Sequence, residues 1–296
     1  MFKKLIQRKS RKGSFQPKDV AAFYNTYNDK FLAVYGEVIQ AFRTKDIEKL
    51  LDYQAEIMQL KPGMKLLDAG CGVCGPAIYF AKKYGVHVTA VTVSQVQFDA
   101  AQLRINEQGL NDQVHVVLGD YHELKKLTNT ADYDIVYFLE SFGHSPDHAK
   151  AIESAWLVLK PGGLLYIKDL FERKALLPEH QPKIDREVQK INKAYRYNIA
   201  DLNAVLDCLR HSGWILSALK TIDLHVNDFE NLTISNDFQE LTGIGSIDNW
   251  ADYVFPIDFF EILAIKPQHD LAYGLDKYFL QNLMYMQVHH RKQEEL

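Results

Sequence analysis

The chain of 296 residues has only three cysteines, and two of them, Cys71 and Cys74, lie in one short loop. Three cysteines build no disulfide framework, so a reducing compartment is expected. Their C-x-x-C spacing leaves a redox or zinc pair open, but no second ligand pair follows at zinc spacing. No apolar run reaches the roughly eighteen residues of a membrane span, and the N-terminus lacks the apolar core of a signal peptide. A soluble, cytoplasmic protein without stable membrane insertion is expected. There is no excess of positive charge: the formal net charge is −4, which gives no whole-molecule attraction for nucleic acid. Internal repeats and low-complexity linkers are also missing. One domain with additions fits the length, and 47% hydrophobic residues supply a sizeable core.

What is present is organised around Lys65 to Ala81, KLLDAGCGVCGPAIYFA. The apolar run from Leu66 to Ala69 has the length of a buried strand, breaks at a glycine-rich turn, and gives way near Pro76 to a helix-forming segment. Gly70, Gly72 and Gly75 stand at G-x-G-x-x-G spacing, which permits a sharp turn and brings helix N-terminal amides close to a ligand. That spacing alone fits many nucleotides. Asp68 would repel a pyrophosphate laid on the loop, and the next strand, His87 to Ser94, has no acid to hold a dinucleotide ribose. NAD is disfavoured on both grounds. The acid suits a ligand with an ammonium group and a cationic reactive centre, and S-adenosylmethionine (SAM) has both. D-x-G-C-G resembles the first motif of class I SAM-dependent methyltransferases, in which this loop holds the methionine and ribose portions. The resemblance assigns Asp68, Gly70, Cys71 and Gly72 to the cofactor. A Rossmann-type domain for another nucleotide is the alternative.

Further segments narrow the resemblance. Val91-Thr92-Val93-Ser94, followed by QVQFDAAQLR, is similar to the G-x-T-x-S-x-x-Q pattern of cyclopropane fatty acid synthases and sterol methyltransferases. It implies that Thr92, the backbone of Val93 and Gln97 hold the ribose, as groups that both donate and accept can. After a third strand, Val114 to Leu118, Gly119-Asp120-Tyr121 offers an acid for the adenine amino group and an aromatic to cover the ring, the use the family makes of this turn. Without that resemblance, Asp120 reads equally as a turn residue. The cluster from His122 to Lys126 reads as a solvated face. FYNTYNDKFLAVYGEVIQ looks like the N-terminal lid of the same group, which implies that Tyr24 reaches the cofactor. Where sterol methyltransferases carry a glycine-rich run ending in His, this chain has Tyr35 to Gln40.

Glu140 and His144 stand at the carboxyl end of a fourth strand, where ligands of open α/β sheets bind. VYFLESFGHSPD matches the sterol methyltransferase run V-Y-x-x-E-x-x-x-H-x-P-D, and a glutamate here is the base of isoprenoid diphosphate C-methyltransferases. The architectural reading of the same residues has Glu140 cap the following helix and His144 orient it.

The expected architecture is a doubly wound, seven-stranded Rossmann-like methyltransferase sheet with N-terminal and inserted helical caps. Its parts are a basic tail (1–13), a helical cap (14–60), the SAM-binding core (61–174), a lid helix (175–198) whose Tyr195 and Tyr197 could face substrate, the rest of the core (199–267) with a second insertion near 226–253, and a C-terminal helix (268–296). Leu157 to Gly163 reads as a helix end and tight turn. The basic tail is either solvated or meets an anionic surface, and the last helix packs on the core or on a second subunit, so a homo-oligomer is open. The implied activity is methylation of a small, apolar alkene through a carbocation, with Glu140 as base. O- or N-methylation, or a SAM-binding partner subunit without catalysis, are the alternatives. No set of metal ligands stands out.

Overall fold

The computed structural model describes residues 14–41, 44–128, 132–222 and 256–268. The basic tail, the insertion near 226–253 and residues 269–296 of the expected C-terminal helix lie outside the described residues.

Seven strands make one sheet: β1 (Lys65–Ala69), β2 (His87–Thr92), β3 (Val114–Leu118), β4 (Tyr133–Leu139), β5 (Leu159–Glu172), β6 (Ile215–Lys220) and β7 (Ile257–Ile265). Their order is β3-β2-β1-β4-β5-β7-β6. β1 to β5 pair in parallel, and β7 runs antiparallel between β5 and β6. Parallel strands need crossovers, and helices supply them: α3 (Gly75–Tyr84), α4 (Gln95–Glu107), α5 (Leu124–Thr128), α6 (His148–Val158) and, before β6, α8 (Leu202–His211). Strand order reverses between β1 and β4, which opens a crevice at their carboxyl ends.

Side chains on a strand alternate between faces, so β1 and β4 divide their residues between two cores. Leu66, Ile135, Tyr137 and Leu139 join Phe80, Ala101 and Ile105 on one side. Leu67, Val136 and Phe138 join Ile152, Ala155 and Leu209 on the other. Burial on both faces is why these strands read as nearly unbroken apolar runs. Each such side chain contributes about 1.5–3 kcal/mol by leaving water.

Helix starts are fixed by side-chain caps. Ser94 accepts from Gln97 N–H at 3.1 Å, Asp147 from Lys150 N–H at 3.0 Å and Asp201 from Ala204 N–H at 3.1 Å. α3 instead begins with Cys74 in the left-handed region and Pro76 in its first turn, where the missing N–H costs no hydrogen bond.

Two helices precede the sheet, α1 (Pro17–Tyr35) and α2 (Ile47–Ile57), and α7 (Gln181–Tyr195) follows β5. β5 departs from the sequence expectation. It starts at Leu159, opposite Tyr133, and bulges before Leu164 resumes pairing opposite Ile135. The helix therefore ends at Val158, and Lys160 to Gly163 are a bulge within the strand rather than a turn ahead of it. Two bonds to Lys266 of β7's end stitch that bulge down, Gly162 N–H to its carbonyl at 2.8 Å and its own N–H to the Gly163 carbonyl at 2.9 Å.

Candidate active site

The crevice is a pocket lined by the glycine loop, the ends of β1, β2 and β4, and the N-terminal helix with the strap that follows it. Tyr24, Asp68, Gly70, Cys71, Gly72, Thr92, Val93, Gln97, Gly119, Tyr121, Glu140 and His144 all line it. Asp120 does not, although the residues on either side of it do. Residues from six stretches of sequence thus meet at one place.

Glycine is required in the loop for two different reasons. Gly70 has φ of 103°, a left-handed conformation that disfavours side chains, and a Cβ on it would collide with the side chain of Ser141. Gly75 lies so close to the strap that a Cβ would strike the Glu37 carbonyl oxygen. The loop is pressed between β4's end and residues 36–41, leaving backbone as the surface toward the pocket.

Asp68 is buried at the base of the loop. Burial pushes its carboxyl up to about 7, partly offset by the Tyr137 hydroxyl. Among the described residues no cation pairs with it. A buried acid on the verge of ionising, facing a pocket, fits a ligand that brings its own ammonium. Two of the residues expected at a ribose are joined to each other: Thr92 Oγ1 donates to Gln97 Oε1 at 3.1 Å and accepts from Ser94 N–H at 3.2 Å. Asn25 of α1 ties the lid to this turn, its Oδ1 accepting from Ser94 Oγ at 2.7 Å and Val96 N–H at 3.3 Å.

Glu140 adopts φ of 57°, rare for a residue with a side chain, and its carboxylate is buried. Oε1 pairs with the Lys168 ammonium, and Oε2 accepts from Ala41 N–H at 2.5 Å. Lys168, wholly buried on β5, also donates to Gln40 Oε1 at 2.7 Å, which accepts from Gln54 Nε2 at 2.7 Å as well. The side chain of Glu140 therefore reaches into a buried ion-pair network and caps no helix. Asp147 is the cap of α6. Gln40, which the strap presents to this pair, enters the site by hydrogen bonding.

His144 Nδ1 donates to the Arg196 carbonyl at 3.1 Å, which leaves Nε2 to accept from the Tyr24 hydroxyl at 2.9 Å. Burial lowers its pKa to about 4, so the ring is neutral at pH 7. Tyr197 stacks on it with ring centres 4.0 Å apart and donates to the Glu140 carbonyl at 3.1 Å. Tyr195 packs instead with the aromatic cluster of α1.

Four residues of the site were missed in the sequence. Lys168 and Asp169 are consecutive charges in a strand. Asp169 is fully buried, accepts from Gly143 N–H at 3.0 Å and Leu170 N–H at 2.8 Å, and is pushed up to about 7 by burial and by Glu140. The sequence reads His122 as part of a solvated face with its charged neighbours, but it is buried, with Nδ1 2.5 Å from Asp120 Oδ1 and Nε2 2.7 Å from Ser145 Oγ. The solvated description holds for Lys125 and Lys126. Ser141, which packs against Gly70, donates to the Ala69 carbonyl at 2.5 Å.

The family model for mycolic acid cyclopropane synthetase matches residues 20–237. The chain belongs to that family. Its members are class I SAM-dependent methyltransferases, the group its motifs resemble. Among curated relatives, sterol 24-C-methyltransferase ERG6B of Gibberella zeae is 30% identical over 62% of this chain and 46% of its own length. Methyltransferase GfsG of Streptomyces halstedii is 34% identical over 44% of this chain and 46% of its own length. The chain thus spans less than half of these relatives. Among solved structures, the [4+2]-cyclase SpnF superposes with a TM-score of 0.69 over 86% of this chain and 97% of that one, at 21% identity. Geranyl diphosphate C-methyltransferase of Streptomyces coelicolor A3(2) gives 0.60 over 84% and 97%, at 17% identity. These likenesses agree with the seven-stranded fold described above. No helix among the described residues is long and apolar enough to cross a membrane.

Proposed function

We propose that this chain transfers the methyl group of SAM to a carbon of an alkene in a small, isoprenoid-like molecule, with Glu140 as the base. The observation that carries this reading is the convergence of a buried, cation-free Asp68 and a buried Glu140 on one pocket. When bound, SAM supplies an electrophilic methyl group. The glycine loop, Asp68, Thr92, Val93 and Gln97 would hold it from below, and Tyr24 and the strap from above.

Attack by a double bond leaves positive charge on the acceptor, and that charge is relieved by losing a proton. Glu140 would accept it, as a buried carboxylate whose Oε2 is held by the Ala41 amide and whose Oε1 is held by Lys168. Lys168 and the Ala41 amide fix the carboxylate's orientation. General-base transfer of this kind is worth ~10²–10⁴ in rate. Tyr24 and His144 line the pocket and would meet the acceptor's charge with rings rather than water, and an aromatic face such as that of Tyr24 contributes about 0.5–2 kcal/mol toward a nearby cation. Glu140→Gln tests the assignment. SAM binding by calorimetry is expected to survive within about three-fold while turnover falls by ~10²–10⁴. Undiminished turnover would remove Glu140 from the role of base.

A second reading, methylation of a hydroxyl, is favoured by His144. Its Nε2 lone pair already accepts a hydroxyl hydrogen from Tyr24, and a substrate hydroxyl in that position would be met in the same way. Among the relatives, 27-O-demethylrifamycin SV methyltransferase of Amycolatopsis mediterranei is 32% identical over 52% of this chain. Mass fragmentation of the product separates a new carbon–carbon bond from a methyl ether.

A further inference from the structure

The turn after β3 contains a three-membered hydrogen-bond chain of which the cofactor motifs use only the first member, Asp120, and the proposed chemistry uses none. Asp120 Oδ1 accepts from the His122 backbone N–H at 2.9 Å and from its ring Nδ1 at 2.5 Å. His122 Nε2 meets Ser145 Oγ at 2.7 Å, and Ser145 Oγ in turn accepts from Asp147 N–H at 3.1 Å. The order Asp-His-Ser is that of a hydrolytic triad, but Ser145 has no exposed surface, so no acyl group can reach its hydroxyl. The chain must serve something at its other end.

That end is the carboxylate. The Asp120 side chain is 32% exposed, whereas that of His122 is 4% exposed. Both hydrogen bonds fall on Oδ1, and among the described residues Oδ2 has no hydrogen-bond partner. Gly119 and Tyr121, which flank Asp120, line the cofactor pocket. The His122 bonds hold the carboxyl below its ordinary range despite partial burial, so it presents a full negative charge. A carboxylate on a short side chain can swing about χ2. Clamped on one oxygen by a buried imidazole, itself tied to a buried serine, it offers the second oxygen in one direction only.

We infer that His122, anchored by Ser145, is a positioning residue that fixes Asp120 Oδ2 as an acceptor for the exocyclic amino group of the cofactor's adenine, and so sets the preference for adenine over a 6-oxo purine. This rests on the proposed cofactor reading. An amino group donates to a carboxylate, while the oxygen of hypoxanthine repels it, so a well-aimed carboxylate discriminates and a loose one turns aside and does not. Preorganised acceptors reject a wrong partner chiefly by being unable to relax.

The test is calorimetric binding of S-adenosylhomocysteine and of S-inosylhomocysteine to the full chain. The wild type is expected to prefer the adenine compound by at least about ten-fold. His122→Phe keeps the ring's bulk and removes both nitrogens, and it should cut that preference about ten-fold. His122→Asn, whose amide can still donate to Asp120, should retain most of it, and Ser145→Ala should lower it by a smaller factor. Equal losses for both compounds in His122→Phe, with the preference intact, would make His122 merely structural and overturn the inference. If the wild type binds both compounds alike, Asp120 is not the adenine acceptor, and the inference falls with that assignment. If it binds neither, the cofactor reading itself is wrong, an outcome distinct from the other two.

Discussion

Asp68 carries the most consequential charge in the pocket, because its state depends on what is bound. In the free protein burial pushes it up to about 7, and the ammonium of a ligand favours its ionised form. Above that value the carboxylate is ready for the ligand. Below it, a proton must leave on binding, so affinity weakens as pH falls, by up to about ten-fold per unit. Calorimetry with S-adenosylhomocysteine from pH 5.5 to 8.5 should show this slope. Asp68→Asn should bind weakly and without it. Lys168 has the opposite character, since it is buried and permanently matched to Glu140. Burying such a pair adds little net stability, while removing one member leaves the other stranded. Its value lies in holding Glu140 in an orientation that its left-handed backbone alone would not secure.

Among elements, α1 and the strap after it do the most for the site. α1 sends Asn25 to the start of α4 and Tyr24 to His144, and the strap sends Ala41 and Gln40 to the Glu140 pair. Asn25→Ala removes the first of these links, two hydrogen bonds, and should cost about 1–2 kcal/mol. Amide exchange at Val96 and Gln97 should speed up and SAM affinity should drop several-fold, while the amides of β4 keep their protection. The unaltered exchange of α4 in this variant would show that the lid is held elsewhere. Much of this architecture is legible locally. The glycine loop and the fourth strand's end are contiguous motifs, and the period of apolar residues marks the helices that flank them. What is not legible depends on register. Lys168 and Asp169 are neighbours that strand alternation sends to opposite faces, and nothing in LLYIKDLF says which of them meets Glu140. Ala41 contributes only an amide, which leaves no trace in composition. His122 is masked by the soluble charges next to it.

For the whole molecule, buried ionisable groups tilt stability against pH in two directions. Asp169 is pushed up to about 7 from an ordinary 3.8. Between those values the folded chain holds a proton that the unfolded chain has lost, so this group's contribution declines as pH rises through the window. His144 and His148 are lowered to about 4 from an ordinary 6.5. There the unfolded chain takes protons that the folded chain refuses, and stability is lost as pH falls from 6.5 toward 4. Thermal unfolding of Asp169→Asn beside the wild type should separate the two effects. The variant loses one of the two side-chain oxygens that accept from backbone N–H groups and starts less stable, yet the gap should narrow from pH 5 to about 7 and level off above it. A constant gap would mean that Asp169 is ionised throughout.

The strap from Gly36 to Ala41 touches the back of the glycine loop at Gly75 and the acid of β4 at once. It leaves α1 at Gly36, whose φ of 65° and ψ of −148° only a glycine adopts with ease. A single pivot thus serves two latches. Any displacement of residues 36–41 about that pivot would free both contacts together, so letting go of the nucleotide-type loop and losing the acid's amide partner would be one event, not two.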